Sequence, residues 1–207
     1  MPDSVAVVPD IQPRAVLDYW FYDQGHFASI ATLNKRWFGS GQSLDAPIRE
    51  QFGMALEKAV AGGLRDWEAE SESRLALIVL LDQFTRQAWR GSVRAFVGDQ
   101  RALSLTKSGF KRGYFDELPL MMKVAALMPL EHSESLADQV DCVKRFGLLL
   151  AQYPEEQESI KGFLRFAELH HDIIEEFGRF PHRNQVMGRA STPAELEYLE
   201  HGPRFGQ

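Results

Sequence analysis

The sequence predicts an all-α protein whose neighbouring helices form antiparallel pairs. Apolar residues recur at helical spacing along most of its 207 residues. Helix starts and stops (a capping Ser, Thr or Asp before a run, a Gly or Pro after it) punctuate those stretches at short intervals. Strand-like alternation is confined to Val5, Ala6, Val7 and Val8, a run too short to found a sheet.

Taken in order, Pro13 suits a first helical turn and leads a helix over residues 15–22. A short helix is expected near residues 30–37. Asp45 is placed to cap the next, whose stripe is Ile48, Phe52, Leu56, Ala59 and Val60, and Gly62-Gly63 ends it. After a linker holding Trp67, Ser73 is placed to cap residues 74–90. Residues 75–81 are apolar on every side. A short buried strand is the rival reading, but continuation through Asp82, Phe84, Arg86 and Trp89 favours a long helix surrounded by others. Gly91 breaks it, and Ser92 or Asp99 opens a helix to about residue 110. Another runs over residues 119–127 and stops at Pro129. Ser133 or Ser135 starts a helix carrying Leu136, Val140, Val143, Phe146 and Leu150, closed by Tyr153-Pro154. Residues 155–177 form a long helix with Gly178 just beyond it. Thr192-Pro193-Ala194-Glu195 combines a capping box with proline at the first helical position. No interior Gly/Ser linker divides the chain, so one domain over residues 10–201 is expected, with flexible tails at 1–9 and 202–207. No 34-residue repeat with tetratricopeptide spacing stands out.

Composition narrows the function. Hydrophobic residues make up 44% of the chain and Phe occurs 14 times, which supplies a large aromatic core. A net charge of -6 argues against a general nucleic-acid binder, because phosphate neutralisation needs a basic face. No stretch is apolar and long enough to span a bilayer, and the first nine residues lack the features of a secretory leader. The one cysteine, Cys142, excludes an intrachain disulfide and fits a buried, inert thiol; a cytoplasmic protein is expected.

On the helix over residues 155–177, Ile160, Phe163, Phe166, Ala167, Ile174 and Phe177 share one side, with His170 among them. His170 is therefore expected to be buried, neutral and hydrogen-bonded to another element, as a structural residue or as part of a site. His171 falls at the border, near Glu168 and Glu175. Glu168 and His171 make a Glu-x-x-His spacing, but a di-iron bundle needs a second such motif, and none is present, so no metal site is expected. Arg179, His182, Arg183 and Arg189 crowd the loop after the helix. They can satisfy terminal carbonyls or donate to a carboxylate or phosphate. Asp82, Arg86 and Arg90 recur every four residues on the apolar helix, as a salt-bridge network or a binding stripe. Glu131-His132 is a candidate acid–base pair or cap chemistry with Ser133. There is no Gly-rich phosphate loop or Gly-x-Ser-x-Gly elbow, and no cofactor is expected.

Several ordered blocks carry a family resemblance. They are Val16-Leu17-Asp18-Tyr19-Trp20-Phe21, Leu80-Leu81-Asp82-Gln83-Phe84-Thr85-Arg86, Arg90-Gly91, Arg94-Ala95-Phe96, Met128-Pro129-Leu130-Glu131-His132-Ser133-Glu134, and Phe177-Gly178-Arg179-Phe180-Pro181-His182-Arg183-Asn184. With these blocks the chain resembles the domain of unknown function 924 family, mainly bacterial, over about residues 15–200. Thr85 departs from the proline usual there. The resemblance implies a tetratricopeptide-like α-α superhelix and no particular activity. Three functions follow as expectations. The protein is an interaction protein whose groove takes a peptide or small anionic ligand, with Asp82, Arg86, Arg90, Arg179, Arg183 and Arg189 as binding residues. Alternatively, it is an enzyme on a small anionic substrate, with Glu131, His132, His170 and His182 as acid–base candidates. In the third, the polar cluster is purely structural.

Overall fold

Residues 11–203 and Phe205 are described by the computed structural model, and their architecture is helical. The expected run at Val5–Val8 and the segment read for a leader lie outside the described residues, as do Arg204, Gly206 and Gln207 of the expected C-terminal tail. Pro13–Phe21 forms α1, with the proline in its first turn. Two two-residue strands, β1 (Tyr22–Asp23) and β2 (His26–Phe27), pair antiparallel. Gln24 and Gly25 turn between them with φ of 47° and 81°, the doubly left-handed geometry that suits a tight hairpin. α2 is Ile30–Phe38, capped by Ser29. α3 is Asp45–Val60, followed by left-handed Gly62.

α4 (Ser71–Val79) lies at the centre and packs on α1, on α6 (Asp99–Lys111) and on α7 (Leu120–Glu131), and it runs on through a π-turn at Leu80–Phe84 into α5 (Thr85–Ala88). Its residues Arg74 to Val79 are all buried, as expected of a helix with neighbours all round. α8 (Leu136–Gln152) and α9 (Gln157–Phe177) pack along each other, and α10 (Pro193–His201) closes the described chain. One continuous core runs from Val16 to Ala167. A smaller cluster of Ile173, Ile174 and Phe180 sits under the C-terminal loop.

Four local expectations are corrected. Asp45 is not a side-chain cap; it opens α3 and its carboxylate holds Arg90. Ser73 does not start α4; its Oγ donates back to the Trp67 and Glu70 carbonyls. The long helix is not uniform but loosens into the π-turn around Asp82 and ends at Ala88. Pro129 does not stop α7, because residues 121–130 are buried and their packing outweighs the one backbone bond a proline removes. The predicted capping box is formed: Thr192 Oγ1 accepts the Glu195 N–H at 3.2 Å, and the Glu195 carboxylate accepts the Thr192 N–H at 2.7 Å.

Candidate functional site

The π-turn is where the polar residues begin to converge. The Thr85 N–H reaches back to the Leu80 carbonyl, one residue further than in an α-helix. Side-chain donors reach two carbonyls of the turn: Thr85 Oγ1 donates to Leu81 O at 2.9 Å, and Arg86 Nη1 to Asp82 O at 2.6 Å. This turn holds Asp82, wholly buried, against His132 at the end of α7. His132 Nδ1–H donates to Asp82 Oδ1 at 2.8 Å, and Gln83 donates to Asp82 Oδ2 at 2.5 Å. An ionised carboxylate only accepts, so the proton of a neutral His132 sits on Nδ1 and its basic atom is Nε2. Burial would raise the Asp82 carboxyl, but His132 and Arg86 hold it below the usual carboxylate range. Burial, together with Arg86, keeps His132 below its ordinary value despite Asp82.

Arg86 is fixed on its other side by Asp99 at the start of α6, with two parallel bonds of 2.8 and 3.0 Å. The same carboxylate faces Arg183 Nη1 at 3.5 Å, and Arg183 also lies over the Phe180 and Phe96 rings. Burial and the neighbouring Arg86 bring Arg183 down to about 10, so it stays cationic at neutral pH. Asp99 thus bridges two of the expected arginines. The sequence marked it only as a helix opener, since its partners are 13 and 84 residues away.

Glu131, Arg86, His132 and His170 line one cavity of about 380 Å³, together with Gln83 and Phe205. That volume is in the range of small-molecule sites. Glu131 Oε1 stands 3.5 Å from His170 Nδ1, and burial, followed by the charge of Asp82, pushes its carboxyl up to about 8. At neutral pH it is therefore mostly protonated, a donor on the cavity wall. His170 Nδ1–H donates to Phe166 O at 2.8 Å, a carbonyl of its own helix and not of another element as expected. Burial, and then His132, hold His170 at about 3, so its ring is neutral. The His132 and His170 rings are 6.2 Å apart, and Phe205 lies 4.1 Å from His170 and 5.2 Å from His182.

The remaining candidates fall around this centre. Arg90 lines the cavity and is bound to Asp45. His182 sits behind Phe205, held at about 3 by burial and by Arg183, and lines a different surface hollow. Arg179 holds Glu195 and Arg189 holds Glu134, and neither lines the cavity. Among the described residues, the ligand atoms close enough to share a cation are those of His171, Asp172 and Glu175, on the wetter face of α9, and they exclude Glu168. Cys142 is fully buried, and burial raises its thiol well above the ordinary value.

The family model described as Bacterial protein of unknown function (DUF924) matches residues 16–203. The chain is also similar to a solved structure, a protein of unknown function, ATU0120, from Agrobacterium tumefaciens. Identity is 30%, the TM-score 0.76, and the match covers 92% of this chain and 97% of that one. None of the curated proteins matches.

Proposed function

Since the chain belongs to the DUF924 family of bacterial proteins of unknown function, we propose its function from the cavity alone: acid–base catalysis on a small, uncharged carbonyl compound. The observation that carries this reading is the Asp82–His132 hydrogen bond of 2.8 Å, with His132 and Glu131 on one cavity wall. Asp82 fixes the ring and its tautomer, which leaves Nε2 as a base. Glu131 supplies a proton from the same wall. His170 is a positioning residue beside Glu131. The cavity arginines Arg86 and Arg90 are each bound to carboxylates, so charge is balanced. That favours an uncharged ligand over the anionic one expected from the sequence. The volume of about 380 Å³ favours a small molecule over a peptide.

The reaction needing no further group is enolisation. His132 Nε2 takes a proton from the carbon beside the carbonyl, and the C–H electrons form the C=C bond. The carbonyl π electrons move to oxygen, which takes the Glu131 proton. Reversal, or reprotonation at another carbon, restores both side chains.

The test is exchange of α-protons of 2-butanone in D2O, followed by NMR. The protein should accelerate exchange, and His132→Asn should remove about 100-fold or more of that acceleration. Wild-type exchange no faster than buffer, or equal to that of folded His132→Asn, would overturn the proposal.

A further inference from the structure

A second chamber of about 440 Å³ adjoins the polar cavity, and the two share Glu131, Phe38 and Phe166. Beyond Glu131 its wall is mainly apolar, with Val124, Met128, Phe146, Phe163 and Leu169, and its polar members are Asn34, Ser159 and Arg165. Phe38 and Phe166 stack at 6.2 Å and line both spaces, and both are more than half exposed, so they are not part of the core. Gly162 also lines this chamber. A methyl group built there meets nothing within 4 Å, so the helix leaves open space where other residues would fill it.

We infer that the substrate carries an unbranched apolar tail that lies in this second chamber while its carbonyl sits at Glu131 and His132. The inference rests on the proposed reading for the head group, and the tail follows from continuity. Glu131 faces both spaces, so a molecule whose carbonyl meets that carboxyl has the mainly apolar chamber on its other side. Away from Asn34, Ser159 and Arg165, most of this wall offers a charged or hydrated tail no partner. A hydrocarbon tail gains affinity with each methylene removed from water.

The experiment measures binding of 2-butanone, 2-hexanone, 2-octanone and 2-decanone by calorimetry, without any need for turnover. Affinity should rise about fourfold per added methylene until the chamber fills. Gly162→Leu should weaken 2-decanone by at least tenfold and leave 2-butanone unchanged. Leucine also suits the helix better than glycine. Ser159→Leu, one turn earlier on the same wall, repeats the test should Gly162→Leu fail to fold. Affinity independent of chain length, or a length dependence that the folded variants leave intact, would overturn the inference. Length-dependent binding abolished by these variants, with no α-proton exchange, would uphold the tail chamber and reject the enolisation reading.

Discussion

Glu131 and His170 touch in the fold yet push stability in opposite directions with pH. Glu131 has its carboxyl raised from 4.5 to about 8, so between those values the native state keeps a proton the unfolded chain has released. Its stabilising contribution is full below about pH 4.5 and is lost as pH rises through about 8. His170 is depressed from 6.5 to about 3, so its contribution is full above about pH 6.5 and is lost as pH falls through about 3. Glutamine at 131 keeps the shape and cannot ionise. Urea unfolding at about pH 5, 6.5 and 8 should show Glu131→Gln relieving the alkaline decline by up to about 1.4 kcal/mol per pH unit. Parallel pH curves for the two proteins would show that this carboxyl ionises freely.

The π-turn is the element that sets the site, and Gly98 is what lets α6 approach it. A Cβ at Gly98 would stand 2.1 Å from the Leu81 carbonyl oxygen, which is backbone and cannot swing aside. Asp99, the partner of both buried arginines, follows directly in the chain. Gly98→Ala should therefore destabilise by about 3 kcal/mol or more and displace Asp99 from Arg86. Thr192→Ala offers the contrast at the capping box of α10, where one cap contact is lost and about 1 kcal/mol is expected. Guanidinium unfolding of the two variants decides this. Equal losses would show that α6 can retreat from the turn at little cost.

Across the whole molecule, the C-terminal segment hangs on few ties. Glu134 accepts the Phe180 N–H at 2.9 Å and pairs with Arg189 at 2.7 and 3.0 Å, joining the start of α8 to the loop after α9. The apolar cluster beneath that loop is small, with Ile173, Ile174 and Phe180 at its centre. Local opening should begin there. Glu134→Gln weakens charge-assisted bonds, so amide exchange over Pro193–His201 should speed up about tenfold while α4 stays protected. Uniformly faster exchange in both regions would mean the segment opens only with the core. Phe205 closes against His170 from this segment, so its motions bear on access to the cavity.

The helices were legible because their information is local. The α9 stripe, the Gly178 stop and the Thr192–Glu195 box are patterns within a few residues, and the chain realises each, apart from Phe166 of the stripe, which is exposed. The all-round apolar run before Asp82 likewise required burial on every side. Two of the corrections arose where distant partners override local preference: packing carries α7 through Pro129, and Arg90 draws Asp45 away from capping. At the site, sequence singled out Glu131, His132, His170 and Arg86, since charged or imidazole groups on apolar faces demand partners. It could not identify those partners. Asp99 for Arg86, Glu195 for Arg179, Glu134 for Arg189 and the second chamber beside Glu131 depend on contacts between segments far apart in the chain. Which charges are cancelled and which carboxyl faces an open space is decided by tertiary packing, because burial and ionic pairing belong to positions in space and not to residue types.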